Sequence, residues 1–286
     1  MYTTLISAQQ LGDLARGCQP FMLFDCSFEL MQPGVGDEQY QQTRIPGAVR
    51  ADLDRHLSAS RTANDAASGG RHPLPSRESF AAWLGSVGFG NTMQAVVYDR
   101  QGSNYCGRLW WMLKWVGHEN VALLDGGLQA WLACGGAVES GIVAARAATN
   151  FSLTEARTAL VSTETVANNL GRPIQNLVDA RGVPRFKGEV EPLDPVAGHI
   201  PGALNRPFGQ NFDAQGKFKP ASQLKAEFEA LLALRDPATV VHQCGSGVSA
   251  VPNIIAMELA GLGRTALYAG SWSEWCSDPK LPVAQG

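Results

Sequence analysis

The run Cys244-Gly245-Ser246-Gly247-Val248-Ser249 ends the apolar stretch "VVHQ" and leads into the apolar segment "AVPNIIAMEL". Glycines let such a turn curl until successive N–H groups point inward, a geometry that binds anions. A helix starting just beyond adds its own unpaired N–H groups and the positive end of its dipole. A cysteine centred in that ring is favoured as the thiolate, its nucleophilic form. The same donors would steady charge on a group transferred to the sulfur. The competing reading is a small buried cysteine followed by a glycine turn.

Other loop chemistries fail on missing residues. A nucleotide-binding loop of the form G-x-x-x-x-G-K-S/T needs a lysine, and none lies between 244 and 251. A cysteine phosphatase needs C-x5-R, but position 250 is alanine and the next arginine is Arg264, so no guanidinium is placed to hold a phosphate dianion. No second cysteine or histidine has the spacing of a metal ligand.

The elements around this turn occur twice. "FMLFDCS" (21–27) resembles "QNLVDAR" (175–181), and "RIPGAVRADL" (44–53) resembles "HIPGALNRPF" (199–208). "AVVYDRQGSN" (95–104) resembles "TVVHQCGSGV" (239–248), and "LLDGGLQAW" (123–131) resembles "LYAGSWSEW" (267–275). The offsets of 154, 155, 144 and 144 fit one duplication with extra residues in the first copy, assigned to the polar stretch "SASRTANDAASGGRHPLPS", which reads as a surface loop. The weakly patterned, alanine-rich "AVESGIVAARAATNFSLTEARTAL" reads as the join. Short apolar runs such as "FMLFD", "AVVYD" and "VALLD" look like buried parallel strands. They alternate with the helical patterns "RESFAAWLGSVG", "CGRLWWMLKWVG", "ASQLKAEFEALLA" and "AVPNIIAMELAGLG", the last closing at Gly261 as a C-cap. Alternating strand and helix predicts an α/β fold with parallel sheets. Ligands of such sheets sit outside the carboxyl ends of the strands, which is where the Cys244 turn falls.

Bulk properties narrow the function classes. The 286 residues exceed the size at which a single core usually stops growing, which favours two domains. A net charge of −3 and no block of like charges argue against nucleic acid or an anionic membrane as a partner. The start "MYTTLISAQQLGDLARG" has neither a basic n-region nor a long apolar segment, and no stretch approaches a membrane span. The six cysteines, 18, 26, 106, 134, 244 and 276, show no paired framework, so they are expected to be reduced thiols in the cytoplasm.

The loop "CGSGVSA" (244–250) resembles the "CGSGVTA" loop of the mercaptopyruvate-using branch of the two-domain rhodanese family of sulfurtransferases. "HIPGA" (199–203), "LDGGLQAW" (124–131), "GSWSEW" (270–275) and the strands ending in aspartate are similar to landmarks of that family, in order and in both halves. The resemblance implies two tandem rhodanese-like domains, each a parallel sheet flanked by helices on both faces. The first, 1–138, would be catalytically silent, since the repeat sets Arg100 opposite Cys244. A linker, 139–159, leads to the catalytic domain, 160–286.

The implied reaction moves a sulfane sulfur from 3-mercaptopyruvate or thiosulfate to cyanide or a thiol through a Cys244 persulfide, with ping-pong kinetics. The N–H groups of 245–249, those of Gly245, Gly247, Val248 and Ser249 among them, would surround that persulfide, and the Ser249 hydroxyl would cap the following helix. "DARGVPRFKGE" (179–189) is similar to the family segment whose arginine, just before an aromatic, faces the cysteine, which makes Arg185 the substrate cation and leaves Arg181 to pair with a carboxylate. Mercaptopyruvate-specific members carry a second arginine in an "EPR" context, where this chain has Leu193. Thiosulfate users carry basic residues in the loop, where this chain has Gly245 and Ser246. The two cues conflict, and the loop favours mercaptopyruvate. The resemblance also implies a relay of Ser246, His72 and Asp54, while His199 and His242 fall in a turn and a strand. No cofactor or metal is implied. The expected partners are a small anionic sulfur donor, a thiol or cyanide acceptor and a thioredoxin-like reductant. The alternative is a persulfide carrier or regulatory module with little turnover on small donors, which Leu193 favours. A redox role for Cys276 stays open.

Overall fold

The computed structural model describes residues 1–144 and 146–286. They form two compact units, one of Met1–Ser58, Pro75–Arg157 and Ala214–Phe218, the other of Ala59–Leu74, Thr158–Asp213 and Lys219–Gly286. In the first unit the elements follow as β1 (Leu5–Ile6), α1 (Ala8–Arg16), β2 (Phe21–Asp25), α2 (Gly34–Gln42), β3 (Val49–Arg50), α3 (Arg77–Ser86), β4 (Gln94–Tyr98), α4 (Cys106–Trp115), β5 (Val121–Leu124) and α5 (Gly127–Ala133). Its sheet has the order β1-β5-β4-β2-β3, and every pairing is parallel.

The second unit holds α6 (Thr163–Asn168), β6 (Asn176–Asp179), α7 (Val183–Lys187), β7 (Leu204–Asn205), α8 (Ala221–Leu232), β8 (Val240–Gln243), α9 (Val251–Leu259), β9 (Ala266–Leu267) and α10 (Ser271–Trp275). Its parallel sheet runs β7-β6-β8-β9. Leu160 adds a single parallel bridge to Leu267, the place that β1 holds beside β5 in the first unit. Both β4 and β8 are buried along their whole length, as strands covered on both faces must be. The four helical patterns in the sequence become α3, α4, α8 and α9, and Gly261 follows α9 with a φ of 72°.

Strand pairing corrects the alignment of the repeats. Asp25 pairs with Tyr98, and its counterpart Asp179 pairs with Gln243. Tyr98 therefore matches Gln243, and Asp99, not Arg100, matches Cys244. Aligning the letters "VV" in both strands slips the register by one residue, which would place every side chain on the opposite face.

Two connecting stretches also behave differently from expectation. Residues 59–74 are irregular but belong to the second unit, with His72, Pro73 and Leu74 buried. The Arg71 N–H donates to Ser273 Oγ (2.9 Å) and the Gly69 N–H to Glu274 Oε2 (3.3 Å), tying this stretch to α10. Within 139–157, Glu139 bonds Arg44 through backbone and side chain, and Phe151 stacks on Phe89, so these residues pack in the first unit. Ala145, within the same stretch, lies outside the described residues.

Candidate active site

β8 ends at Gln243 and delivers Cys244, only 2% exposed, to the carboxyl edge of the second sheet. α10 holds the backbone there. The Cys244 N–H donates to Ser271 Oγ (3.1 Å), its carbonyl accepts from the Trp272 N–H (3.0 Å), and the Gly245 carbonyl accepts from the Ser273 N–H (2.9 Å). Gly247 has a φ of 71°, and a Cβ there would sit 2.3 Å from the Ala269 carbonyl oxygen, so the curl requires glycine. α9 starts at Val251 with Ala250 as its N-cap and Pro252 in the first turn. No side chain caps it, so the Ser249 hydroxyl does not play the capping role expected of it. Among the described residues, the N–H groups of Gly245, Ser246, Val248, Ser249 and Ala250 meet no protein acceptor.

The matching loop of the first unit, equal in length and with Gly102 left-handed like Gly247 but Ser103 left-handed where Val248 is not, closes around a carboxyl group. Asp99, at the position matching Cys244, accepts N–H bonds from Gln101 (3.0 Å) and Ser103 (2.9 Å) on Oδ1, and from Tyr105 and Cys106 (2.9 Å each) on Oδ2. Counted from Cys244, the same places fall at Ser246, Val248, Ala250 and Val251. Burial raises the Asp99 carboxyl's pKa, and the four N–H groups act against that rise. Arg100, whose match the sequence had set at Cys244, pairs instead with Asp25 at 3.0 Å.

Two cations reach the second unit's loop. Arg185 stands on α7, a short helix opened by Pro184 and closed by Gly188. Its neighbour Phe186 stacks on His199 at 3.9 Å between ring centroids, and His199 Nδ1 lies 2.8 Å from the Phe186 carbonyl oxygen, which fixes the helix against the "HIPGA" turn. Arg185 pairs with Glu191 (2.7 Å) and Asp194 (3.0 Å). Arg71 pairs with the other oxygen of Asp194 (2.5 Å). A Cβ on Gly245 would lie 3.0 Å from Arg71 Nη2 and 3.5 Å from Arg185 Nη1, so both guanidinium groups cover the residue next to Cys244. Sequence reasoning missed Arg71, and its one signal was adjacency to His72.

The other expected residues divide. His72 Nδ1 lies 2.8 Å from Ser246 Oγ, with both side chains buried, so these two meet. Asp54 belongs to the first unit, exposed in the turn after β3, where its N–H donates to Asp52 Oδ1. Arg181 pairs with Asp179 (2.7 Å) and lies over the Trp272 ring. Leu193 donates its N–H to Glu191. His242 is fully buried on β8, and burial, with a smaller push from Arg206, holds its pKa near 3. Burial, then Asp194, raises the pKa of the Cys276 thiol, which works against a thiolate there. No group of three or more His, Cys, Asp or Glu side chains could hold a metal ion, and no helix is long and apolar enough to cross a membrane, among the described residues.

Comparison with known proteins adds relatives to this geometry. The Rhodanese-like domain family matches residues 7–134 and 162–278. A Pseudomonas aeruginosa protein named "Probable 3-mercaptopyruvate sulfurtransferase" is 45% identical over 284 residues, covering 99% of this chain and 98% of that protein. The rat 3-mercaptopyruvate sulfurtransferase is 33% identical, covering 100% of this chain and 97% of its own. An Arabidopsis thaliana thiosulfate/3-mercaptopyruvate sulfurtransferase is 38% identical, covering 86% and 76%. Among solved structures, the 3-mercaptopyruvate sulfurtransferase from Leishmania major has a TM-score of 0.80 at 29% identity, covering 96% of this chain and 74% of that one. The Tum1 protein from Saccharomyces cerevisiae has a TM-score of 0.84 at 27% identity, covering 99% and 98%.

Proposed function

This chain belongs to the rhodanese family, and from that premise we propose that it is a sulfurtransferase in which Cys244 takes a sulfane sulfur from an anionic donor. One observation carries the proposal. A buried cysteine sits in a loop whose N–H groups stand open, with the guanidinium groups of Arg71 and Arg185 over the adjoining Gly245. The arginines hold the donor's negative group. The Cys244 thiolate attacks the donor sulfur, and the N–H groups of Gly245, Ser246, Val248 and Ser249, on the curl that Gly247 permits, stabilise charge on the transferred sulfur.

3-Mercaptopyruvate is the proposed preferred donor, with thiosulfate the alternative. As Cys244 binds the sulfur, the carbon–sulfur bond breaks and its electron pair passes to carbon, giving the enolate of pyruvate, which takes up a proton. The Ser246 hydroxyl, paired with His72, is suited to donate to that developing oxyanion, whereas thiosulfate presents no ketone. The resemblance alone carries Asp54 as the relay's carboxylate. The first unit, with Asp99 in place of a thiol, has no nucleophile at the matching position and is proposed to be silent. Thiols and cyanide are the proposed acceptors, with a thioredoxin-like reductant among them and the cytoplasm as the setting.

The test runs 3-mercaptopyruvate and thiosulfate side by side with cyanide and follows thiocyanate. Mercaptopyruvate is expected to give the higher kcat/KM, and Cys244 is expected to gain the mass of one sulfur. Wild-type turnover by Cys244→Ala would sink the mechanism. A thiosulfate preference would overturn the donor assignment. Persulfide loading by a desulfurase, with negligible turnover on both small donors, would favour the carrier. Asp54→Asn, run with the same donors, should slow mercaptopyruvate alone.

A further inference from the structure

Leu193 stands where mercaptopyruvate-specific relatives are expected to carry an arginine, and here it lines a cavity of about 330 Å3. Asp194, Pro195, Arg61, Arg71, Ser273 and Ser277 complete most of its walls. Leu193 and Pro195 flank Asp194, which lines the cavity too and whose carboxylate is held by Arg71 and Arg185. Arg71 is matched by Asp194, and the hydroxyls of Ser273 and Ser277 donate to the carbonyls of Gly270 (3.3 Å) and Glu274 (2.7 Å). Arg61 differs from all of these. It is exposed, its Nε donates to the Arg71 carbonyl at a long 3.4 Å, and it has no carboxylate partner among the described residues. Among the described residues, the charged lining residue left without an opposite partner is thus Arg61, which shares the cavity with the side chains of Leu193 and Pro195 and the paired Asp194.

Its position relative to the nucleophile is equally specific. Arg71 reaches over Gly245, and the Ser273 N–H binds the Gly245 carbonyl, yet neither Gly245 nor Arg185 lines the cavity. A molecule can therefore occupy the space beside the donor's anion site without covering both arginines. In a ping-pong cycle the second substrate arrives after the donor's remnant has left.

We propose that this cavity is the subsite for the sulfur acceptor, and that the acceptor it fits is a small organic thiol bearing a carboxylate. The inference rests on the sulfurtransferase reading above. The carboxylate pairs with Arg61, the body lies along Leu193 and Pro195, and the thiol extends past Arg71 to the persulfide. The acceptor thiolate attacks the outer sulfur, a new sulfur–sulfur bond forms, and the bond between that sulfur and Cys244 Sγ breaks. Its electron pair stays on Sγ, which regenerates the Cys244 thiolate. The product is the acceptor's persulfide, and no outside oxidant or reductant is needed.

The experiment uses the full chain, 3-mercaptopyruvate as donor, and two acceptor probes, glutathione with two carboxylates and 2-mercaptoethanol with none. Removing one charge-assisted contact in Arg61→Ala should raise the KM for glutathione about tenfold while moving that for 2-mercaptoethanol less than about twofold. Arg61→Lys should recover most of the difference. Leu193→Phe, which narrows the cavity and leaves the charge, should also raise the glutathione KM selectively. Equal shifts for the two thiols, or none, would overturn the subsite. Failure of the wild-type chain to load sulfur on Cys244 at all would instead overturn the parent reading, and the loading is read separately by mass.

Discussion

At the residue scale, the pairing of Arg71 with Arg185 answers the question that Leu193 raises. The chain lacks the second arginine expected near 193, yet a second guanidinium covers Gly245 from residue 71. Asp194 bridges the two cations, one oxygen to each, so it both orients them and offsets their mutual repulsion. An anionic donor would compete with that carboxylate for the free edges of the guanidinium groups. Arg71→Ala should therefore raise the KM for 3-mercaptopyruvate by about tenfold to a hundredfold, the size expected for lost charge-assisted hydrogen bonds, with Arg71→Lys between the two. Steady-state kinetics at saturating cyanide measure it, and an unchanged KM would remove Arg71 from the donor site. Arg185 was legible in the sequence because "VPRF" sits in a recognisable local context. Arg71 was not, because its relevance depends on a contact with Gly245, far along the chain, that local spacing does not encode.

At the element scale, the two loops that follow β4 and β8 have the same length and the same left-handed glycine, Gly102 and Gly247, but Ser103 is also left-handed where Val248 is not, and the group at the centre differs. In the first unit the carboxylate of Asp99 fills the N–H ring from within. In the second, Cys244 leaves the corresponding N–H groups of Ser246, Val248 and Ala250 without protein acceptors among the described residues. Asp99→Ala should strand four donors in a buried site and destabilise the chain by about 2–5 kcal/mol, measured by urea unfolding. Acetate should recover part of that loss by occupying the ring, and a change below about 1 kcal/mol would show that the ring does not depend on its anion. The repeated elements were legible because apolar runs and turn residues recur in order. The one-residue slip between Arg100 and Asp99 was not, because matching valines score well in either register and only the ladder separates them. The place of 59–74 in the second unit was hidden for a similar reason. Its polar composition reads as solvent loop, while hydrogen bonds to Ser273 and Glu274 hold it in place and bury His72.

At the scale of the whole molecule, three of the five histidines contribute to how stability follows pH. Burial lowers the pKa values of His56 and His118, and of His242 to about 3. Each is held neutral in the native state where the unfolded chain would take up a proton below its ordinary value of about 6.5. A lowered histidine pKa means that the unfolded state binds more protons as the pH falls, so stability is full above about 6.5 and declines below it. For His242 the decline continues down to the folded value near 3, at up to about 1.4 kcal/mol per pH unit. Among the described residues, His242 Nδ1 has no partner, and its Nε2 lies 3.2 Å from Met257 Sδ. His242→Leu should thus be tolerated at pH 8, since it removes a buried orphan donor or acceptor from an apolar strand. Its stability relative to wild type should then rise as the pH is lowered from 7 to 5, because one source of linked protonation is gone. Urea unfolding of both proteins at several pH values gives the slopes directly. Parallel slopes for the two would mean that His242 is not held neutral in the native chain, and the acid sensitivity would have to come from His56, His118 or the carboxylates.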